Sequence, residues 1–222
     1  MGELVFLEPN SIKAVPFTTS KVIAEFTRVG HRHIKKQISL HKLSLETFGL
    51  LVAHETESTG GRPEEITLLN EQQATLLVTF LKNTPVVVAF KTELVRQFYE
   101  MRTELQKRQL GKLNLKPTRR TLTDEIKGNP NRSEWDYKLF TDLSYKTALG
   151  KIAAKIRKER GASKKAVALD YMTADEIALV ESVTNKIAVL YEMGLDYYQI
   201  KDMLAKSQEK AKERLVGGAK GS

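Results

Sequence analysis

Hydrophobic and polar positions divide the chain into two parts with different spacing. Up to about residue 110, short apolar runs typical of strands alternate with stretches in which apolar residues recur every three or four positions, as on one helix face. Residues 111–130 are mainly polar and contain two glycines and two prolines, and the spacing after them is helical. The pattern predicts an α+β N-terminal domain at 1–110, a linker at 111–130, an all-α C-terminal domain at 131–215 and a disordered tail at 216–222.

Two hairpins are predicted in the first part. Leu4–Leu7 and Ile12–Phe17 flank the turn sequence EPNS, which indicates a small hairpin near the N-terminus. Leu50–His54 and Glu65–Leu69 enclose a loop with adjacent glycines and a proline, which indicates a second one.

Cap residues predict where the main helices begin and end. Asn70 is a candidate N-cap, and Thr84 and Pro85 fit the start of a long helix that Gly111 is expected to end. In the second part, the TADE sequence of Thr173–Glu176 has the form of a capping box. One amphipathic helix is expected to carry four apolar residues at spacings of four, three and four: Tyr145, Leu149, Ile152 and Ile156.

Residues 18–38 have the layout of a helix-turn-helix. A short helix with Ile23 inward is followed by a turn at Val29-Gly30 and a second helix, on which Ile34 and Ile38 face inward. No acidic residue occurs between positions 28 and 42. The basic side chains of this stretch suit phosphates and major-groove acceptors, and the alternative is a solvated basic face. The predicted DNA contacts are Arg28, His31, Arg32, His33, Lys35 and Lys36.

The second hairpin is a candidate wing for this motif. Gly60-Gly61-Arg62 places a guanidinium at a flexible tip, where Arg62 is a further candidate DNA contact. An ordinary loop with a single arginine explains the sequence equally well, and the glutamates around the tip oppose the approach of DNA.

Composition and charge narrow the class of protein. Lys and Arg number 36 against 27 Asp and Glu, so the net charge is +9, which favours polyanionic partners. There is no cysteine and no long apolar run, which together predict a cytoplasmic protein without disulfides or a membrane anchor. Residues 102–120 hold seven basic residues against one acid, and residues 146–165 hold eight against one. Each cluster is either a solvated surface or a nucleic-acid contact.

No pattern of catalytic or metal-binding residues is present in the sequence. His31 and His33 are two positions apart, so a helix places them on different faces, and no acid lies close to them in sequence. No catalytic triad or pair of carboxylates has a recognisable spacing. The sequence therefore predicts a protein that is not an enzyme and that needs neither a metal nor a cofactor.

The long helix carries an apolar stripe that predicts self-association. The stripe consists of Leu94, Phe98, Met101 and Leu105, at spacings of four, three and four. Either the C-terminal domain of the same chain covers it, or the same helix of a second subunit does, which predicts a homodimer or a higher oligomer.

The first part resembles the Rha family of phage regulatory proteins. The resemblance covers residues 15–105 and follows the segments TTSKVIAEF, GHRHIKKQI and the GGRP hairpin, and then the two helices that hold LLVTFL and AFKTELVRQFYEMR. The matching positions are Ser20, Ile23, Ala24, His31, Gly61, Arg62, Phe90, Lys91, Phe98 and Met101. The second part is similar to helical regions of phage antirepressors, through segments such as YKTALGKIAAKIRKERG and GLDYYQIKDML.

The resemblance implies a winged helix-turn-helix in a phage or prophage regulator of a bacterial host. Its partner is then double-stranded DNA, bound through the basic second helix. The alternative is an antirepressor that binds a phage repressor protein and has no operator of its own. For the helical second part, the sequence leaves open a protein-binding role or a plain helical hairpin.

Overall fold

The computed structural model describes residues 2–55, 64–130, 133 and 135–218. The chain divides into two compact units, Met1–Leu105 and Gln106–Ser222. The elements that begin in the first unit are β1 (Phe17–Thr19), α1 (Ser20–Thr27), α2 (His31–Leu40), α3 (Lys42–Glu46), β2 (Val52–Glu55), β3 (Glu65–Asn70), α4 (Glu71–Thr79) and α5 (Pro85–Gly128). Those of the second unit are α6 (Asp136–Leu149), α7 (Ala153–Glu159), a 3₁₀ turn (Ala168–Tyr171), α8 (Ala174–Glu192) and α9 (Tyr197–Gly218).

A small antiparallel sheet organises the N-terminal unit. Its strand order is β1-β3-β2, with Thr19 opposite Leu68 in one ladder and Ala53 opposite Thr67 in the other. The predicted β2–β3 hairpin is confirmed at its two strands, while its tip at 56–63 lies outside the described residues. The predicted hairpin at 4–17 is wrong: its strands meet in one bridge, between Phe6 and Phe17. An α+β N-terminal unit and an all-α C-terminal unit agree with the predicted classes.

Apolar side chains from α1, α2, α4 and α5 pack on the sheet. Ile23, Ile34 and Leu77 are buried there together with Phe90, Leu94 and Phe98. Leu94 and Phe98 belong to the stripe from which self-association was predicted, Met101 packs against the same core, and Leu105 is buried as well. The stripe is therefore already buried within the chain and is not available to a second subunit. Self-association stays a prediction that light scattering tests.

Helix α5 does not end at Gly111. It continues to Gly128 through Pro117 and buries Leu115, Leu122 and Ile126, so the residues predicted as a linker are helical as far as Gly128. A Cβ at Gly111 would lie 3.0 Å from Cγ2 of Ile177. This glycine thus serves the close approach of α5 to α8 rather than the end of a helix.

The C-terminal unit is built from helices whose ends are set by local residues. The capping box of Thr173 and Glu176 begins α8, and Gly194 in the left-handed conformation follows its end, as predicted. The single helix expected across Tyr145 and Ile156 is wrong, because Gly150 at φ 68° ends α6 and α7 begins three residues later. Of the expected tail at 216–222, only 216–218 is described, and it is helical.

Among the described residues, no helix combines the length and the apolar character that crossing a membrane requires.

Candidate nucleic-acid interface

Helices α1 and α2 form a tight pair whose inner side is apolar. The Thr19 hydroxyl accepts the N–H of Val22 at 3.1 Å and so begins α1. Arg28 ends α1 in the left-handed conformation, at φ 58°, and Gly30 precedes α2. Ile34 and Ile38, one turn apart on α2, are buried in the core. Because these two isoleucines fix the rotation of α2, its opposite face is directed to solvent.

The solvent face of α2 is basic. Arg32, His33 and Lys36 are exposed, and α2 contains no acidic residue. His33 Nε2 lies 3.3 Å from Nε2 of Gln37, one turn further along the same face. Arginine and glutamine side chains can bond both to phosphates and to base edges, whereas lysine acts chiefly as a point charge. The face therefore has the chemistry of a groove-binding helix.

His31 lies at the start of α2 but faces inward. Its Nδ1 is 2.6 Å from Oε1 of Glu64, and its Nε2 is 2.9 Å from Oγ of Ser20. A carboxylate only accepts, so Nδ1 carries the proton and donates it to Glu64. Oγ of Ser20 in turn accepts the N–H of Thr67 at 3.0 Å. One histidine thus ties the first turn of α2 to the first residue of α1 and to the start of β3.

The order serine, histidine, carboxylate also occurs in hydrolytic enzymes, but here it is structural. Ser20 is fully buried, with 0% of its surface exposed, and its oxygen already accepts a backbone N–H. A nucleophile has to be accessible to a substrate carbonyl, and this hydroxyl is buried. The three side chains therefore hold backbone elements together.

Two adjacent glutamates, Glu64 just before β3 and Glu65 at its first position, neutralise neighbouring cations. Glu64 pairs with Lys21 at 3.2 Å as well as with His31, and Glu65 pairs with Lys35 at 3.5 Å. The hydrogen bond from His31, and next that from Lys21, lower the pKa of the Glu64 carboxyl below its usual value. These acids lie on the β3 side of α2, so they leave the charges of its solvent face uncompensated.

The predicted DNA contacts thus occupy different environments. Arg28, Arg32, His33 and Lys36 are exposed, Lys35 is partly exposed and paired, and His31 is largely buried with both ring nitrogens bonded. Arg62 lies outside the described residues. DNA contact by any of them stays a prediction. Sequence reasoning missed Ser20 and Glu64 as partners of His31, and the only available indication was that Ser20 and His31 both belong to the family pattern.

Within the described part of the chain, no three histidine or acidic side chains are grouped as metal ligands would be.

Residues 18–103 match the family model described as phage regulatory protein Rha. The match covers less than half of the chain, and it does not extend to the helical part predicted to be similar to antirepressors, which stays a prediction. No curated protein is significantly similar to the chain. The matched segment contains α1, α2, the sheet and the first part of α5, together with Ser20 and His31. The N-terminal unit is therefore similar to phage regulatory proteins of the Rha family.

Proposed function

We propose that the protein is a phage regulator that binds double-stranded DNA through the solvent face of α2, within a winged helix-turn-helix. The observation that carries the proposal is the face itself. Arg32, His33 and Lys36 are exposed on a helix without acids, whose rotation is fixed by Ile34 and Ile38. A solvated helix face ordinarily mixes both signs of charge, whereas a DNA-binding face does not.

The order of elements supports the same proposal. A strand, two helices and a hairpin follow one another, and the first strand pairs with the last strand of the hairpin. This order is typical of winged helix-turn-helix domains, in which the second helix enters the major groove. The short α3 between α2 and the hairpin lengthens that connection.

His31 acts in this proposal as a positioning residue. With both nitrogens engaged by Ser20 and Glu64, it has no polar atom left for a base. It holds the N-terminal turn of α2, the part of a recognition helix that lies closest to the base edges.

Salt dependence of binding tests the proposal. A labelled duplex of about 25 base pairs is titrated at several salt concentrations with the full chain and with Arg28→Gln, Arg32→Gln, Lys36→Gln. Each lost phosphate contact flattens the slope of log K against log salt by about 0.9, so the triple variant should lose about two to three units.

A matched control removes the same charge elsewhere. Lys82, Lys127 and Lys201 are exposed, and changing all three to Gln alters the net charge by the same amount. We expect the control slope to stay within about half a unit of the wild type. Equal slopes for the α2 variant and the control would refute DNA binding by α2. No binding of any duplex, together with capture of a purified phage repressor, would favour the protein-binding alternative.

A further inference from the structure

The segment 153–165 of the C-terminal unit, here called the α7 segment, carries unbalanced positive charge. The only acid in the segment is Glu159, and Lys151 bonds it at 2.6 Å, which lowers the pKa of this carboxyl below its usual value. Arg160 is engaged by Glu176 at 2.7 Å. In the described part of the chain, the remaining lysines of the segment take part in no ion pair, although the charge of the first of them also lowers the pKa of Glu159: Lys155, Lys158, Lys164 and Lys165.

Packing holds these lysines on the outside of the unit. Ile156 is buried in a core with Tyr145, Leu169 and Met172, so the opposite side of α7 is exposed. Lys155 and Lys158 are three residues apart on that side, which makes them neighbours on the helix surface. The exposed Ala154 beside them adds no bulk that would keep a partner away.

The chain directly after α7 is held in place by the hydrogen bonds of a turn. Gly161, at φ 65°, turns the chain, and the N–H of Ala162 bonds the carbonyl of Arg157 at 2.8 Å. The Arg160 guanidinium bonds the carbonyl of Tyr171 as well as Glu176, which anchors the turn to the start of α8. Lys164 and Lys165 follow directly and are exposed.

We propose that the α7 segment is a second surface for duplex DNA, which binds the phosphate backbone and reads no sequence. Four exposed ammonium groups that form no ion pair suit phosphates, because lysine binds them as a point charge. The exposed side chains of the segment include no Asn or Gln, the types that read adenine edges, and its Arg157 is half-buried. The choice of DNA as the polyanion rests on the proposed function of α2. The surface itself does not depend on α2.

The test measures the salt slope with the full chain and a random-sequence duplex. Lys155, Lys158, Lys164 and Lys165 are changed together to Gln. With about 0.9 per lost phosphate, we expect the slope to fall by two or more units, and the affinity near 0.1 M salt to fall roughly 100-fold for every duplex sequence. The control with equal loss of charge changes four other exposed lysines: Lys82, Lys127, Lys186 and Lys201.

Each outcome separates this inference from the proposed function. If the slope of log K against log salt is the same for the α7 variant and its control but is reduced in the α2 variant, the second surface is refuted and the proposed function stands. If this slope is reduced in the α7 variant and unchanged in the α2 variant, the inference stands and the proposed function fails. If the wild type prefers vesicles with 30% phosphatidylserine or single-stranded RNA to duplex DNA at equal salt, and the α7 variant loses that preference, the choice of partner is overturned. Circular dichroism of every variant confirms that only surface charge has changed.

Discussion

Replacing Ser20 by Ala should destabilise the N-terminal unit although it removes a single atom. Strand β1 ends at Thr19, opposite Leu68, and the next residue, Ser20, already belongs to α1. The Ser20 hydroxyl takes the N–H of Thr67, the next donor of β3, at 3.0 Å. A side-chain oxygen therefore extends the ladder by one bond at the point where the strand becomes a helix.

The magnitude follows from what alanine leaves behind. Ser20 is fully buried and Thr67 is 8% exposed, so water does not replace the lost acceptor freely. A buried N–H without a partner costs about 1–3 kcal/mol, and the lost bond to His31 adds about 1 kcal/mol. The higher helix propensity of Ala offsets at most about 0.5 kcal/mol of this loss. We expect the free energy of unfolding to fall by about 2 kcal/mol.

Urea unfolding and amide exchange check this value. Ser39→Ala, on the exposed side of α2, is the control and should change the free energy of unfolding by less than about 0.5 kcal/mol. Hydrogen exchange gives the local measurement, because the Thr67 amide should exchange faster in Ser20→Ala, at a free energy below that of global unfolding. Unchanged protection of Thr67, or equal effects of the two variants, would refute the reasoning.

Three further predictions concern substitutions of Arg28, His31 and Phe98. Arg28→Gly should keep or slightly raise stability, because glycine tolerates φ 58°, while the DNA salt slope falls by about 0.9; a loss of stability would contradict this. His31→Ala should raise the pKa of Glu64 towards its usual value in an NMR titration. A carboxyl whose pKa is lowered in the folded state stabilises the fold above its usual pKa, and this stabilisation is lost as the pH falls. The variant should therefore lose less stability than the wild type on acidification below pH 4.5. An unchanged pH profile of stability would contradict this. Phe98→Ala should lower the free energy of unfolding in urea by about 3–5 kcal/mol, and the exposed Val95→Ala by less than about 0.5 kcal/mol. Equal effects of the two variants would show that Phe98 is not a core residue.

Helix ends set by neighbouring residues could be predicted from the sequence. The capping box of Asn70 and Gln73, that of Thr173 and Glu176, and the left-handed Gly194 all act within four or five residues. The bonds they make depend on local backbone geometry, which the order of residues largely determines. Such features are readable without knowledge of the tertiary fold.

Glycine misled the prediction where packing decides its role. Gly111 and Gly150 look alike in sequence, yet the first lies inside α5 and the second ends α6 at φ 68°. Gly111 faces Ile177, which is 66 positions away in sequence, so no local pattern shows why a glycine stands there. The burial of Leu115 and Ile126 outweighs the weak helix propensity of the residues around them.

For the candidate site, the sequence predicted the position of α2 but could not distinguish its cations. His31 and His33 were grouped as DNA contacts, and their spacing of two positions shows only that they lie on different faces. Which face turns inward depends on Ile34 and Ile38, and the carboxylate partner of His31, Glu64 just before β3, is 33 residues away. Charge counted along a chain therefore overstates the charge that a partner meets.

Ion pairs within each unit also reduce how much of the net charge of +9 a partner meets. Lys21, Lys35 and Lys151 each form an ion pair with a glutamate of their own unit. To bind a phosphate, each lysine has to break that ion pair. Exposed pairs of this kind contribute at most about 1 kcal/mol, so they weaken a phosphate contact without preventing it. The cations that meet DNA at no such cost are those that form no ion pair with an acid of their own unit. This condition, and not the total charge, is what α2 and the α7 segment have in common.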